Sequence, residues 1–465
     1  MKRFSEMFTQ KRNQIGKKLC MALLMLLMVV PALALNPTTA DKKRCFMDDP
    51  TNKTITFLYC VDDGYWPNET ITSAYVCGSF NGWKKLDDYK LSYDSESKCW
   101  YVTVPYDKVN IPGNSGQPEY KFVINGNWLF APSWLTDGYE FHTSDKNMII
   151  VFSTDDFDQI KKNSEIAGTV RPLKDFDLTK EEDRAAISNF RLVPGTTQLF
   201  RSYHPFKASR SESEEKYKDI DTEHARLATV DEYAAAKGIQ SDICLSGDET
   251  NTLTSYVSDN NTTYQETIPA YYQKIIDNGN VLIVNANDLI PSYNYVYAKS
   301  NSKEFGDWMT QIVDFIISDQ HPAPFQIHCR LGTDRTGVIC GVIAGLCGAS
   351  WKDIAADYQK SNNMQIREFR DYKLLAYSFR NMLGEEPSTI SNLQQALTDY
   401  FVNNGYLTVA KIEAMRNKLN ATTTGINTVA ANTQNDTRCY NLMGQRVAAP
   451  AKGQLVIMGN KKVVK

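Results

Sequence analysis

The sequence predicts a multidomain chain in which a β-sandwich precedes an α/β domain with a largely parallel sheet, and a short β tail closes the chain. Three observations carry this expectation. Residues 70–153 are a succession of short runs rich in β-branched and aromatic residues, each bounded by Gly, Asn, Pro or Asp. From about residue 229 onward, strand patterns alternate with helical ones, the order that βαβ units require. After residue 420 a Thr/Asn-rich stretch, "NATTTGINTVAANTQNDT", interrupts the pattern before short strands return. With 465 residues, 42% of them hydrophobic and 23% charged, the composition is globular and the length suits about two to four domains.

Taken in order, residues 1–18 hold Lys2, Arg3, Lys11, Arg12, Lys17 and Lys18, and the apolar stretch "LCMALLMLLMVVPALA" follows. Ala32-Leu33-Ala34 fits a small-x-small cleavage site, so residues 1–34 are expected to be a secretory signal peptide. The sandwich is expected over 61–153, with strands in "TSAYVCGSFNGWKKL", "CWYVTVPY", "PEYKFVINGNWLF" and "KNMIIVFS"; "NGNW" after "KFVI" signals a hairpin. A polar linker fills 155–180. The second domain is expected over 165–420. In it "TVDEYAAAKG" reads as a helix with Thr229 as N-cap and Gly238 as its stop. "IQSDICLS", "NVLIVNAND" and "PFQIHC" read as strands, and "SKEFGDWMTQIVDFIISD" places Phe305, Trp308, Met309, Ile312, Phe315 and Ile316 on one helical face. "TGVICGVIAGLCG" reads as a buried helix, further amphipathic helices fill 351–420, and 424–465 is a linker and strand-forming tail.

Removing residues 1–34 takes away six basic groups and one acid and moves the formal charge from −3 to −8. Such a chain has no global field for nucleic acid, and any anion site must be local. The chain has only five histidines, and no Cys-x-x-Cys or His-Glu-x-x-His spacing occurs, so neither a metal nor a cofactor is expected. Cys45, Cys60, Cys77 and Cys99 cluster early and could form one or two disulfides in an exported chain, with connectivity left open.

The chemistry concentrates in "FQIHCRLGTDRTGVICG", residues 325–341. A strand delivers a cysteine into a turn that opens a helix, and backbone N–H groups at such a turn form an anion site. The same field lowers a thiol pKa below about 8.5, and a thiolate under a bound phosphoryl group is a nucleophile. Arg335 can take two phosphate oxygens with its planar fork, and Gly332 lets the backbone curl around the anion.

His328-Cys329, five residues, then Arg335-Thr336-Gly337 resembles the signature of cysteine-dependent protein tyrosine and dual-specificity phosphatases. The resemblance implies catalysis by Cys329 and Arg335, an orienting role for His328, and assistance by the Thr336 hydroxyl as the thiolate leaves. It also implies a substrate cradle of His328, Arg330, Leu331, Gly332, Thr333 and Thr336. Two aspartates compete as general acid. Asp334 lies inside the loop, as in bacterial phosphatases with a "GKDRTG"-type loop and in myotubularins, and is favoured. Asp288, in "VNANDLIP", follows a strand at the place where dual-specificity enzymes carry a mobile acid. "NFR" (189–191), "LFRSYHP" (199–205) and "DIAADYQKSN" (353–362) extend the resemblance to bacterial tyrosine/lipid phosphatases over roughly 165–385. Thr333 stands where a lysine linked with phosphoinositide preference is often found.

"AYVCGSFNGWKKL", "CWYVTV" and "EYKFVINGNW" are similar to the glycogen-binding module of the AMP-activated protein kinase β subunit. That likeness implies an Ig-like sandwich presenting Trp83, Lys121 and Trp128 to a glucan; the other reading makes these tryptophans core residues of a spacer. A phosphatase joined to such a module resembles laforin and plant glucan phosphatases. "YNLMGQRV" and "NKKVVK" resemble the sorting domains of type IX secretion cargo, implying a secretion-machinery partner. The expected function is an exported tyrosine phosphatase-like phosphomonoester hydrolase in the periplasm, on the surface or secreted, acting on phosphorylated protein or a small phosphoester. The alternatives are a phosphoinositide, inositol phosphate or phosphoglucan phosphatase, and a carbohydrate-binding surface protein without activity.

Overall fold

The computed structural model describes residues 35–61, 66, 69–132, 135, 146–167, 169–208, 220–247, 253, 255–257, 263–284 and 293–420, and four strands between 439 and 464. Residues 1–34 and Asp288 lie outside the described residues.

The N-terminal region is built from antiparallel sheets. Strands β1 (Phe46–Asp49), β2 (Thr54–Cys60), β3 (Ala74–Gly78), β4 (Ser92–Asp94), β5 (Cys99–Pro105), β6 (Glu119–Ile124), β7 (Asn127–Trp128) and β8 (Met148–Ile149) form two of them. One has the order β1-β2-β5-β4; the other is β3-β6-β7, with β8 also paired to β6. Their inner faces meet through aromatic rings. Phe57 and Tyr59 of β2 stand edge-on to Tyr120 and Phe122 of β6, at centroid distances of 5.0 and 5.4 Å.

This region starts before residue 61, where the sequence reading began it. Strand β2 pairs along its whole length with β5, and Cys60 is bonded to Cys99 directly across the ladder. β2 is buried at six of its seven positions, so it offers an unbroken apolar run rather than the alternation that marks a half-exposed strand. Cys45 and Cys77 are free and buried. A cross-link over a sequence separation of 39 typically contributes roughly 2–4 kcal/mol by restricting the unfolded chain. In the β6–β7 hairpin, Asn125 and Gly126 have φ of 52° and 89°. Asn-Gly accepts this left-handed pair at little cost.

A helix, Phe157–Ala167, leads into a mixed α/β region. Its sheet contains β9 (Arg191–Leu192), β10 (Leu199–Ser202), β11 (Ser241–Cys244), β14 (Val281–Ile283) and β15 (Phe325–His328), in the order β14-β11-β15-β10-β9. A separate hairpin joins β12 (Ser255–Val257) and β13 (Thr263–Gln265). β15 pairs parallel with β10 on one side and with β11 on the other, and β14 pairs parallel with β11. The C-terminal ends of these strands therefore share one edge, where open α/β sheets place their ligands.

The helix Lys303–Ile317 opens with the Ser302 hydroxyl accepting from the Phe305 N–H, and its six expected apolar positions are all buried. The helix Asp334–Leu346 is buried nearly all round, so it runs through the core rather than along it. Helices Tyr372–Leu383, Leu393–Asn403 and Val409–Leu419 close the region, and the N–H groups of Thr197 and Gln198 both donate to the Leu419 carbonyl. Thr229 is not a cap. It lies inside the helix Ile220–Lys237, its hydroxyl donating to the Ala225 carbonyl. The earlier turns hide from a hydrophobicity pattern because they bury an ion pair, Glu223 with Arg226 at 3.2 Å.

Residues 421–465 are a separate unit. Its strands β16 (Cys439–Tyr440), β17 (Arg446–Val447), β18 (Leu455–Met458) and β19 (Lys461–Val464) form one antiparallel sheet in the order β17-β16-β18-β19.

Candidate active site

Strand β15 ends at His328, and the helix Asp334–Leu346 begins six residues later. The loop between them must reverse direction tightly. Gly332 does so at φ 70°, and a Cβ there would stand 2.0 Å from the Ser202 carbonyl oxygen. No other residue fits. The outer side of the loop is gripped by long-range donors. Asn189 Nδ2 donates to the carbonyls of Leu331 (3.0 Å) and Gly332 (3.2 Å), and Arg201 Nη2 donates to Gly332 at 2.7 Å. With its carbonyls turned outward, such a loop leaves its N–H groups for an anion at its centre.

Cys329 lies at the floor of this loop, 4% exposed. Burial pushes its thiol up, but the Arg335 guanidinium and the hydroxyl and N–H of Thr336 outweigh burial and bring it below the ordinary thiol value. The Thr336 hydroxyl is buried and is one of the groups that lower the Cys329 thiol. Arg335 Nη1 donates to the Leu245 carbonyl at 2.9 Å, and the Leu245 N–H donates to His328, so the arginine is tied to the end of β11. A thiol shifted toward its thiolate, with loop N–H groups and a guanidinium on the same loop, is an arrangement that can serve as a nucleophile beside a bound anion. The sequence model of the tyrosine phosphatase family matches residues 170–421, more than half the chain.

The chain belongs to the tyrosine phosphatase family. No curated protein matches it. The protein is a cysteine-based phosphatase, and its substrate is phosphorylated.

The loop after β15 and the first turn of the next helix gather His328, Cys329, Arg330, Leu331, Gly332, Thr333, Asp334, Arg335 and Thr336. Within it the Arg330 side chain is exposed and Leu331 half-buried, while Thr333 is buried at the N-terminus of the following helix. The residues that hold the loop were not assigned roles from sequence. "NFR", "LFRSYHP" and "DIAADYQKSN" contribute Asn189, Arg191, Arg201 and Asp357. Asp357 bonds Arg191 Nε at 2.6 Å and Arg201 Nη1 at 2.9 Å. The motif match was the available signal; the pairing was not visible.

His328 is fully buried. Its Nδ1 donates to the Cys329 carbonyl at 2.9 Å and its Nε2 to Asp242 at 3.1 Å, so both nitrogens carry protons. Burial opposes this charge, but Asp242 prevails and pushes the imidazole up to about 10. His204 and Cys244 have ligand atoms within 4.8 Å of the ring, yet a ring that donates from both nitrogens offers no lone pair to an ion.

The raised value has a measurable consequence. A group held protonated in the folded state stabilises the fold fully below its unfolded value, about 6.5, and loses that contribution as pH rises through the folded value of about 10. The difference in urea midpoint between wild type and Asp242→Asn is expected to shrink as pH rises across this window. A constant difference would remove the charged-pair assignment.

Asp334 is engaged on both oxygens. Arg370 Nε donates to Oδ1 at 2.7 Å and Nη2 to Oδ2 at 3.4 Å, and the Tyr297 hydroxyl donates to Oδ1 at 2.7 Å. Neither Arg370 nor Tyr297 belongs to a motif that the sequence displays. In the N-terminal region, the ring centroids of Trp83 and Trp128 are 6.5 Å from each other. Trp128 is 43% exposed and Phe130 59%, Trp83 is half-buried, and Lys121 Nζ lies 4.6 Å over the Phe130 ring. Neither tryptophan belongs to the aromatic core of that region.

Proposed function

We propose that the protein is an exported phosphomonoester hydrolase that turns over through a phosphocysteine on Cys329. The observation that carries this is the Cys329 thiol, brought below its ordinary value inside a loop closed by Arg335. In the first step the thiolate sulfur attacks phosphorus, the bond to the leaving oxygen breaks, and a general acid protonates that oxygen. In the second, water attacks phosphorus and passes its proton to the carboxylate that the general acid has become, while the phosphorus–sulfur bond breaks and the sulfur departs as a thiolate, stabilised by the Thr336 hydroxyl. Arg335 and the loop N–H groups hold the equatorial oxygens through both steps, where their donors are worth most. The favoured substrates are phosphotyrosine-like esters. Export is supported by the leader-like residues 1–34, the sorting-like tail, and the disulfide between Cys60 and Cys99, a bond that persists in oxidising compartments.

The ion pair with Arg370 supports a different division of roles between the two aspartates. A carboxylate that accepts from an arginine at both oxygens serves as an anchor, and it would have to give up that pairing to take on the proton a general acid donates. We therefore assign Asp334 to loop positioning and the acid role to Asp288. Asp288 follows β14, whose C-terminal end shares the edge of the Cys329 loop. Single-turnover acid-quench experiments test both parts. Wild type should carry phosphate on Cys329. Asp288→Asn should slow alkyl phosphate cleavage far more than cleavage of an activated aryl phosphate, whose leaving oxygen needs little protonation. Asp334→Asn should slow both by similar factors. No phosphate on Cys329 would overturn the mechanism, and the reverse ranking of the aspartates would return the acid role to Asp334.

A second reading concerns the N-terminal region, which we infer to be an Ig-like, glycogen-binding-like module. The exposed rings of Trp128 and Phe130, with Trp83 and Lys121 beside them, support this, since flat apolar faces suit sugar rings. The full-length protein should be retained on glycogen, and Trp128→Ala should weaken retention by a stacking loss on the order of 1 kcal/mol. An exposed ring can be lost without unfolding, so the melting temperature should stay put. Absence of retention by the folded wild type removes glucan as a partner and phosphoglucan as a substrate.

A further inference from the structure

Arg370 takes no part in the chemistry above, yet it is 4% exposed and directs its guanidinium at the cysteine loop. We propose that Arg370 is a positioning residue for this loop and that the N-terminal β-region sets its place, acting as a brace for the catalytic domain. The proposal rests on the Cys329 loop being the catalytic site.

The contacts run in one unbroken path. Arg370 is held on its own segment by Asn362, whose Oδ1 accepts from the Arg370 N–H and whose Nδ2 donates to the Arg370 carbonyl, each at 2.9 Å. The next residue, Asp371, is where the N-terminal region takes hold. Its N–H donates to the Asn114 carbonyl at 3.1 Å, and its Oδ2 accepts from Asn163 of the linking helix at 2.9 Å. Its Oδ1 accepts from the Lys373 N–H and so caps the helix Tyr372–Leu383. Lys373 in turn bonds Asp155 at 3.1 Å.

The turn that delivers Asn114 is itself rigidly founded. Gly113 donates to the Gln117 carbonyl, and the turn lies against Glu119, a buried carboxylate of β6 that accepts from Asn147. At Gly116, with φ 85°, an added Cβ would stand 2.5 Å from the Asp371 Cβ. The two regions touch there with no room for a side chain. From Asp371 the path passes through the Arg370 backbone to its guanidinium, then to Asp334 of the loop and to the buried Tyr297 bonded to it. A displacement of the turn by a fraction of an ångström would reach Asp334 through groups that all have fixed partners.

The test uses the full-length protein. Gly116→Ala should lower kcat for para-nitrophenyl phosphate by about 10- to 100-fold, the loss typical of a small misplacement at a reacting centre, with KM little changed. The rate at which iodoacetate carboxymethylates Cys329, read on the Cys329 peptide, should fall with it. Arg380→Ala cuts another bond across the same interface, from Nη2 to the Asn110 carbonyl, and should leave both readouts unchanged. Arg370→Lys should recover part of the kcat that Arg370→Met loses. Should Gly116→Ala not fold, Asn163→Ala is read in its place, with a smaller loss in the same direction. Wild-type kcat and alkylation rate in the folded variant overturn the brace, as do equal losses in Arg380→Ala, which would mark a general interface effect. If turnover survives in Cys329→Ser while alkylation still responds to Gly116→Ala, the phosphocysteine reading fails and the brace stands.

Discussion

Cys329→Ser is expected to abolish turnover of an aryl phosphate, by about 10⁴-fold or more, while the protein still binds inorganic phosphate. The reason lies in how the two functions are divided on the loop. Attack needs a thiolate, and the Arg335 charge and Thr336 donors stabilise one at this position. A serine hydroxyl stays protonated at neutral pH in the same field and is a far weaker nucleophile. Anion binding needs only the backbone N–H groups, the helix N-terminus and Arg335. Their geometry is set by Asn189, Arg201 and the left-handed Gly332, none of which the substitution touches. Titration calorimetry with phosphate, run beside turnover on the same preparation freed of contaminating phosphatases, separates the two. Substantial residual turnover would end the phosphocysteine assignment.

Asp357→Leu is expected to cost about 3–5 kcal/mol of stability, the range for removing one partner of a buried ion pair. Asp357 has a side chain 6% exposed and lies between Arg191 and Arg201, 13% and 1% exposed. Burial pushes this carboxyl up, but the two guanidinium charges more than offset it and hold the group below the usual carboxylate range. Without it two buried cations face each other with no counter-charge. The damage should not stay local. Arg201 is also the donor to the Gly332 carbonyl, so the variant should lose kcat even where it remains folded. Urea unfolding measures the first effect and turnover below the unfolding midpoint the second. Lys303→Met, which removes an exposed pair with Asp307, should leave both unchanged. A stability loss no greater than in that control would show that the two arginines find other partners.

The cysteine loop was legible because its chemistry is local. His328, Cys329, Gly332, Arg335 and Thr336 are near neighbours in the chain, and a strand pattern before them and a buried helix after them suffice to place the stretch at a strand-to-helix turn. The apolar face of the helix Lys303–Ile317 was legible for the same reason, since a period of 3.6 is a property of consecutive residues. The Asn-Gly hairpin between β6 and β7 needs only two adjacent residues with φ above zero.

What escaped the one-dimensional pattern depends on partners far away in the chain. Asp334 and Asp288 are both plausible acids as residue types, and the approach of Arg370, 36 residues along, to both oxygens of Asp334 is displayed by no local pattern. The charge on His328 depends on Asp242, 86 residues away on the neighbouring strand. The choice of Cys60 and Cys99 among four early cysteines follows from the register of β2 against β5, which sets them opposite each other. Register and ion pairing are settled by which surfaces bury together, and a buried charge adopts whichever partner the packing brings within reach. Residue types and spacing fix what a side chain can do; its neighbours in the folded core select which of those things it does.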